Sequence, residues 1–509
     1  MTNWLRWTTL VCASTAVVFA LAGCGGDGEG AKDVEPDASA APNAGTAPPV
    51  WPSAGADADT APPVWPSAGA GSAPDLGQDS RPGQSPVVDL DHPIAVGGCE
   101  ADGPGPVPSA ELPRVSHRDQ VYTIELGRWG ISNAGRDAAA TTQGLNEAIS
   151  WANKNGKGTV RLPGGTYLVG KKVSGIYSGG IELPSDIHFE LDEDAVIQMA
   201  TNDSENYCVV AVSGQEDVHI SGGTIRGDRD SHPAGHEEGH AICVWGGDAS
   251  ARVLIENMTL TDAAGDGVLI NGGNDAYSQD ITIRGNDIAN NRRQGVSIVG
   301  GSSVVVENNA IHHTHGAAPQ FGIDIEGPDY TNKDILIRNN SFYQNQGGDY
   351  VNTDGRNVWL LDNVMDQTGL RNKQTDGPII FWRKSDQVIR GNTVTVTVGS
   401  SNGPWGLVTY PNGADSSIVN VIEDNTFYGG GINVADMSYL KVTGNTVHND
   451  NFVAWSVSCL QFDDNEVIDN GSEYYPFLFR DARGNASGNL RDGKPVDLPL
   501  SPNRPLDYQ

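Results

Sequence analysis

Basic residues are scarce in this chain. Its 509 residues include 32 Lys and Arg against 64 Asp and Glu, which gives a formal net charge of −32. A surface of that sign repels phosphate backbones and anionic lipids, so nucleic acid and anionic membrane surfaces are disfavoured as partners. The same charge weakly disfavours the unaided capture of polyanionic glycans.

Cysteines are also few and widely spaced. Four of the six lie beyond the N-terminal targeting segment described below: Cys99, Cys208, Cys243 and Cys459. No C-x-x-C pair or His-rich metal motif is present, so neither a disulfide framework nor a zinc site is indicated. Export would permit disulfides, but the wide spacing favours buried free thiols.

No apolar run reaches the ~20 residues that a bilayer-spanning helix needs. A stretch from Leu10 to Ala22 follows Arg6 and predicts a signal peptide over residues 1–23. It ends in Leu21-Ala22-Gly23-Cys24, which resembles the lipobox of bacterial lipoproteins. The resemblance implies cleavage before Cys24, lipidation of its thiol and membrane attachment through that lipid. Gly25-Gly26, with no Asp beside the Cys, implies the outer membrane or cell surface.

Residues 24–117 are rich in Ala, Pro, Gly and Asp, and they repeat APPVWPSAGA at 47–56 and 61–70. Such a composition buries too little apolar surface to order itself. The sequence therefore predicts a disordered tether that holds a folded domain away from the lipid. The alternative is that its Trp-Pro repeats bind a partner.

An Asn-x-apolar phrase recurs after β-rich runs in the second half of the chain. Its intervals run from 20 to 33 residues, with Asn at 286, 309, 340, 363, 392, 425, 445 and 465. An irregular period of this size is typical of a solenoid. Asn suits a coil corner because it tolerates left-handed backbone angles and its amide can bond to the next Asn. Unrelated surface turns are the alternative.

The segment 122–170 predicts a helix followed by a strand. Thr142 is the predicted helix cap, and Gly156 the predicted end; the apolar positions between them are Leu145, Ile149 and Ala152, and the strand covers 159–162. In order and in its GTVRLPGGTY phrase, this segment resembles the entry of the pectate lyase superfamily. The resemblance implies an all-β, right-handed parallel β-helix whose open end is capped by the short helix.

That resemblance also gives the expected boundaries. The cap and first coil cover 118–175, the β-helix covers 176–485, and a C-terminal tail covers 486–509. The reaction stays open, since lyases, hydrolases, epimerases and phage tailspikes share the fold. The RRQG and GIDIEG phrases make the chain similar to uncharacterised β-helix proteins of bacteria and their prophages.

Eight short apolar runs, most of them bounded by Gly, predict the stacked strands of one sheet. They cover 241–246, 267–272, 295–300, 322–327, 350–355, 378–383, 406–411 and 432–437. Alternation along a strand places Ile242/Val244, Val268/Ile270, Val296/Ile298, Ile323/Ile325 and Val351/Thr353 inside. Two ladders then face solvent. One contains Cys243, Leu269, Ser297, Asp324, Asn352 and Ile380, and the other Trp245, Asn271, Val299, Glu326, Asp354, Trp382 and Tyr410.

Three acids meet on this predicted face: Asp324, Glu326 and Asp354. Repulsion between Glu326 and Asp354 would raise the pKa of one of them, as a general acid requires. The Asp324–Asp354 diagonal of roughly 8 Å falls within the ~6.5–9.5 Å that an inverting glycosidase uses. Asp266 and Asp349 precede their strands and could join from the rim. A Ca²⁺ site and a merely solvated acidic surface are the alternatives.

Aromatic side chains accompany the acids, and flat rings on an exposed surface are typical of binding. Trp245, Trp382 and Tyr410 are predicted to stack on sugars, with Asn271, Asn352 and Arg383 beside them; cover by a loop is the alternative. Arg293 or Arg383 could serve a lyase or epimerase by neutralising a uronate carboxylate, or could simply pair with the acids. His240, near Asp266, is either a proton carrier or structural.

The NTDG phrase at 352–355 matches a phrase of the polygalacturonase branch. The paired-Asp, GHG and RIK phrases that accompany it there are missing, and so is the Asp-Pro-His phrase of mannuronan epimerases, so no roles are transferred. The leading hypothesis is a surface-anchored β-helix that hydrolyses a polysaccharide. A lyase or epimerase with Ca²⁺ is the second, and a non-enzymatic glycan-binding or adhesin-like protein is the third.

Overall fold

The computed structural model describes residues 94–170, 179–233, 235–245, 249–272, 276–327, 332–368, 370, 377–382, 386–397, 405–410, 418–468 and 475–508. The predicted lipidation site Cys24, the tether up to residue 93, and Arg383 lie outside them. No helix in these ranges is long and apolar enough to cross a membrane.

Three long sheets, each built from strands of successive coils, form a solenoid. Sheet 1 contains Gly179–Glu182, Asn206–Ser213, Glu238–Trp245, Val268–Ile270, Val296–Ile298, Phe321–Ile325, Gly348–Asn352, Ile379–Trp382, Leu407–Tyr410, Ile432–Ala435, Phe452–Trp455, Phe477–Ala482 and Leu506–Tyr508.

The other two sheets follow sheet 1 in each coil. Sheet 2 contains Val121–Thr123, Thr159–Leu162, Ile187–Leu191, Glu216–Ser221, Ala251–Glu256, Ser278–Arg284, Gly301–Glu307, Lys333–Arg338, Arg356–Leu361, Gln387–Arg390, Asn420–Glu423, Ser438–Thr443, Ser458–Asp463 and Gly484–Ser487. Sheet 3 contains Gly165–Val169, Ala195–Met199, Thr224–Arg226, Thr259–Thr261, Asp287–Ala289, Ala310–His312, Ser341–Tyr343, Val364–Gln367, Thr393–Val396, Thr426–Tyr428, Thr446–His448, Glu466–Ile468, Leu490–Arg491 and Lys494–Pro495.

The core fills the inside of the solenoid with apolar side chains stacked coil on coil. Val244, Ile270, Ile298 and Ile325 occupy matching positions on neighbouring strands of sheet 1, and all are fully buried. Each such side chain stabilises the fold by about 1.5–3 kcal/mol relative to an exposed one. The predicted inward positions are therefore confirmed from Ile242 to Ile325.

The helix Ala138–Lys154 caps the N-terminal end, and Leu145, Ile149 and Ala152 are buried as predicted. Thr142 is not its cap, contrary to our prediction. Asp137 precedes the helix with φ 57°, while the Thr142 hydroxyl donates to the Ala138 carbonyl inside the first turns.

A ladder of stacked Asn side chains marks the corner between sheets 2 and 3. Asn340 shows the pattern: its backbone N–H and its side-chain amide both donate to Oδ1 of Asn363, at 2.9 and 3.0 Å. The amide also donates to the Val306 carbonyl of the preceding coil at 2.9 Å. The predicted Asn–Asn bonding is thus confirmed, and the ladder contains Asn286, Asn309, Asn340, Asn363, Asn392, Asn425, Asn445, Asn465 and Asn489.

The left-handed residue of each corner directly precedes the ladder Asn, which corrects our prediction for the Asn itself. These preceding residues have φ between 53° and 70° and are Gly, Asn or Asp: Gly285, Asn308, Asn339, Asp362, Gly391, Asp424, Gly444, Asp464 and Gly488. Only these residue types adopt that conformation readily. The corner therefore needs two residues, one to turn the chain and one to bond between coils.

Residues 94–117, which we assigned to the disordered tether, instead pack along the outer face of sheet 2. They begin with a hairpin of Ile94–Val96 and Cys99–Ala101. Farther on, the backbone N–H groups of Glu111 and Arg114 donate to Asp280 and Asp217 at 3.1 and 2.9 Å. We call this segment the strap. The composition of the strap did not predict that it is ordered, because its backbone N–H groups bond to side chains of the solenoid.

The four cysteines that follow the N-terminal targeting sequence form two disulfides, so our prediction of buried free thiols is wrong. Cys99 of the strap is bonded to Cys459, 360 residues away, and Cys208 is bonded to Cys243 on the next strand of sheet 1. The stacking of coils brings these thiols together, which sequence spacing does not reveal.

The predicted C-terminal tail is part of the solenoid rather than a separate segment. Gly484–Ser487 and Leu490–Arg491 continue sheets 2 and 3. Leu506–Tyr508 then pairs antiparallel with Phe477–Ala482 and covers the last edge of sheet 1.

Candidate active site on sheet 1

Asp324 lies on the outward ladder of sheet 1, as predicted. Its partner on the following strand, however, is not the residue that we predicted. Ser297 pairs with Asp324, and Asp324 pairs with Val351 rather than with Asn352. Residues that pair between these two coils are 27 positions apart in the sequence, whereas alignment of the glycines that close the two predicted runs had placed the partners 28 positions apart. Because alternation has a period of two, this slip of one residue reverses the direction of each side chain.

Asn352 and Asp354 therefore leave the predicted acidic face, and both are fully buried. Asn352 Oδ1 accepts from the N–H groups of Asp354 and Gly355, at 3.1 and 2.5 Å, and so closes the turn. Asp354 accepts from the backbone and side chain of Asn332, at 3.0 and 2.9 Å. The NTDG phrase thus forms a buried turn, and the predicted Asp324–Asp354 pair of a glycosidase is wrong.

The Asp324 carboxyl is 3 % exposed and only half satisfied by hydrogen bonds. Its Oδ2 accepts from the Gln294 side-chain amide at 2.5 Å, while its buried Oδ1 has no partner among the described residues. Burial raises the pKa of Asp324 well above its usual range, and repulsion from Glu326 raises it further. Asp324 is therefore a carboxylic acid that keeps its proton where ordinary Asp residues are ionised.

Arg293 joins two carboxylates beside Asp324. Its Nη2 donates to Glu326 at 2.7 Å, and its Nη1 donates to Asp266 at 3.3 Å. Burial disfavours the charged guanidinium, but Glu326 and Asp266 outweigh it and raise the pKa of Arg293. Both Nη groups are thus engaged, whereas the Glu326 side chain remains 30 % exposed and reachable from solvent.

His240 continues this network on the far side of Asp266, as its position in the sequence suggested. Its Nδ1 lies 3.3 Å from Asp266 Oδ2 and 3.0 Å from the Asp266 backbone nitrogen, while its Nε2 lies 3.3 Å from Glu238. Burial opposes protonation, but the two carboxylates outweigh it and raise the pKa of His240 to about 9. His240 and Asp266 are fully buried, so they position Arg293 rather than meet a ligand. The predicted rim acid Asp349 is buried elsewhere, bonded to Asn345 and Gln367.

The predicted position of the aromatic residues on the outward ladder is partly confirmed, whereas their binding of sugars stays a prediction. Trp245 lies on the Glu326 ladder against the Cys208–Cys243 disulfide, with Asn271 on the next coil. Tyr410, beyond Glu326, packs against the buried cluster of Phe321, Val351 and Ile380. Both Trp245 and Tyr410 are partly exposed. Trp382 pairs with Tyr410 through the backbone, but its side chain and Arg383 lie outside the described residues. Thr353 occupies the ladder position that we predicted for Asp354.

Several members of the site were missed by sequence reasoning. Gln294 borders Asp324. Ser297 was correctly placed beside Asp324 on the ladder but given no role, and its buried hydroxyl has no partner within the described ranges. Glu238 adds a rim carboxylate near His240. Gln294 directly follows the Arg292-Arg293 pair, and that proximity was the one available signal. Within the described segments, no three His, Cys, Asp or Glu side chains are arranged to hold a metal ion, so the Ca²⁺ alternative rests on the sequence alone.

Comparison with known proteins agrees with this architecture. Residues 207–394 match the family described as the right handed beta helix region. The uncharacterized protein YclG of Bacillus subtilis is 29 % identical over 387 residues, which cover 69 % of this chain and 63 % of that protein. The SPbeta prophage-derived uncharacterized protein YorA of the same organism is 28 % identical over 308 residues, covering 55 % and 50 %. The chain thus spans between half and two thirds of these relatives.

Two solved structures share the fold at low identity. The A-module of the mannuronan C-5 epimerase AlgE6 of Azotobacter vinelandii has a TM-score of 0.52 at 15 % identity, covering 74 % of this chain and 100 % of the module. A mutant tailspike protein of the E. coli bacteriophage HK620, in complex with a pentasaccharide, has a TM-score of 0.54 at 12 % identity, covering 74 % and 79 %. Together with its three long sheets, this likeness shows that the chain has the fold of a right-handed parallel β-helix.

Proposed function

We propose that this protein cleaves a polysaccharide by glycoside hydrolysis on the outward face of sheet 1, with Asp324 as the general acid. The observation that carries the proposal is the buried carboxyl of Asp324, which has a raised pKa and an Oδ1 without a partner among the described residues. Hydrolysis of a glycosidic bond needs such a protonated acid at the leaving oxygen. Because Asp324 is only 3 % exposed, the side chains that cover its carboxyl must move when the sugar binds.

Glu326 is the second carboxylate of the proposal. It lies two residues after Asp324, which puts the two Cα atoms about 6.5–7 Å apart on the same side of the strand. The ion pair with Arg293 at 2.7 Å orients its carboxylate, and its partial exposure leaves it open to water or a sugar carbon. Glu326 acts as the base or nucleophile, while Asp266 and His240 hold Arg293 in place.

The aromatic residues and the neighbours of known structure support a glycan as the substrate. Trp245 and Tyr410 lie on either side of Glu326 along the solenoid, each about 14 Å away by strand spacing. A pentasaccharide is bound to the tailspike, and the epimerase module takes its name from mannuronan. Attachment through a lipidated Cys24, at the outer membrane or cell surface, is part of the same proposal and rests on the lipobox.

Variants of the full chain on a glycan panel test this function. The panel contains polymannuronate, polygalacturonate, hyaluronan, xylan and dextran, and both new reducing ends and the ultraviolet absorbance of unsaturated uronates are measured. We expect reducing ends without new absorbance on at least one glycan. Asp324→Asn and Glu326→Gln should each lower that rate by about 10²–10⁴-fold.

The control is Asp366→Asn, an exposed carboxylate on sheet 3 that should leave the rate unchanged. Full activity of Asp324→Asn would refute its role as the acid. New ultraviolet absorbance would show elimination instead of hydrolysis, and binding without any change in chain length would identify a glycan-binding protein.

A further inference from the structure

Trp455 is a large aromatic side chain that the fold leaves uncovered. It is 43 % exposed at the end of the strand Phe452–Trp455. The guanidinium of Arg480 lies over its ring, 4.9 Å from the centroid. A flat ring and a cation thus meet at one point of the surface.

This pair lies on the same outward ladder as Glu326. The register runs from Glu326 through Thr353, Trp382, Tyr410 and Ala435 to Trp455, and Trp455 pairs with Arg480. Five steps of about 4.8 Å separate Glu326 from Trp455, or about 24 Å along the solenoid. The pair is therefore in line with the proposed catalytic centre, but far beyond the reach of one sugar.

Arg480 differs from the arginine at the centre. Arg293 is held by two carboxylates, whereas Arg480 is exposed and has no ion pair within the described part of the chain. In a chain with a net charge of −32, this guanidinium is a local positive charge on the outward face of sheet 1. It supplies the local positive charge that a polyanionic glycan needs to approach such a surface.

We propose that Trp455 and Arg480 form a distal subsite for an acidic polysaccharide. One sugar ring stacks on Trp455, and its carboxylate or sulfate pairs with Arg480, while the same polymer reaches Asp324 about 24 Å away. The inference rests on the proposed function for its catalytic end and adds the substrate class, a long chain that carries negative charge.

Binding to an inactive protein tests the subsite. The full chain carrying Asp324→Asn is titrated with polygalacturonate, polymannuronate, dextran sulfate, unsubstituted dextran and a tetrasaccharide of galacturonate. Trp455→Ala, added to that protein, should weaken binding of the acidic polymers about tenfold. Arg480→Gln should weaken the acidic polymers by a similar factor and leave dextran unchanged, whereas Arg480→Lys should keep most of the affinity.

The matched control is Tyr428→Ala, which removes an equally exposed ring from sheet 3 and should change nothing. The tetrasaccharide is too short to span the two sites, so a variant that keeps its affinity for it shows that the catalytic end is intact. Equal losses for Tyr428→Ala, or unchanged polymer binding in Trp455→Ala, would overturn the subsite. If Trp455 matters for binding but Asp324→Asn still cleaves, the subsite stands and the proposed acid fails.

Discussion

The Asn ladder and the outward face of sheet 1 differ in how completely their buried polar groups are hydrogen-bonded. In the ladder, Asn363 Oδ1 receives two donors and its amide finds two acceptors, so each polar atom of the side chain is used. On sheet 1, the buried oxygens Asp266 Oδ1, Asp324 Oδ1 and Ser297 Oγ have no partner among the described residues. An unpaired buried polar atom costs about 1–3 kcal/mol.

The difference separates what holds the solenoid together from what it does. Groups that only stabilise a fold are satisfied in the large majority of cases, because each hydrogen bond left unmade lowers stability. Groups left unsatisfied in a buried cluster carry free energy that a ligand can recover, and they have perturbed pKa values. Removing a satisfied side chain of the ladder should therefore destabilise the protein, whereas replacing the unsatisfied acid Asp324 should stabilise it.

Asn363→Ala in the ladder should give the largest effect. It leaves two donors of Asn340 and the Ile337 carbonyl without partners, so we expect a loss of about 2–4 kcal/mol in the free energy of unfolding. Urea unfolding followed by circular dichroism measures it. Ser341→Ala, an exposed neighbour on the same coil, should change stability by less than about 0.5 kcal/mol. Equal free energies of unfolding for the two variants would show that the ladder bonds do not stabilise the fold.

His240 tests a satisfied group inside the acidic face. Its pKa is raised to about 9, so its stabilising contribution is complete below the unfolded value near 6.5 and is lost as pH rises through about 9. His240→Gln should remove that dependence, with a loss on the order of 2 kcal/mol at pH 6 and little change at pH 10. Urea unfolding at both pH values measures this. A loss of the same size at pH 10 would show that His240 is not charged.

Asp324→Asn should have the opposite sign, since it replaces an unsatisfied acid by a neutral group of the same shape. The raised pKa means that the folded protein binds more protons than the unfolded chain. The contribution of Asp324 to stability is therefore present below the unfolded pKa and lost as pH rises through the folded value. The variant should be more stable than the native protein at neutral pH by about 1–2 kcal/mol and equal to it at pH 3. Destabilisation at neutral pH would contradict the comparison.

The smallest effect is expected from Gln294→Met. The Gln294 amide donates to Asp324 Oδ2 and so favours the ionised carboxyl. Its removal should raise the pKa of Asp324 further and move the alkaline limb of the pH–rate profile to higher pH. Profiles of the two proteins on the same glycan decide this. A shift to lower pH would show that another group controls that limb.

Local regularity decided how much of this could be predicted from the sequence. The ladder and the inward Ile and Val positions repeat in each coil, so the pattern reveals them. Asp354 was misplaced because one coil is a residue shorter than its closing Gly suggested, and a single residue reverses a strand. Cys459 could not be matched to Cys99, since only the strap brings them together. The protonation state of Asp324 depends on its burial by several coils, and no local sequence pattern predicts that burial.

The Cys99–Cys459 bond would have a mechanical consequence if the protein is anchored through Cys24, as we propose. It closes residues 99 to 459 into one covalent ring that contains the helix and nearly all of the coils. Tension applied between the two ends of the chain crosses directly from one Cys to the other, and the ring cannot lengthen until that bond is reduced. Pulling on the chain from its ends would therefore extend only the segments outside the ring, and the face that carries Asp324 would keep its shape under force.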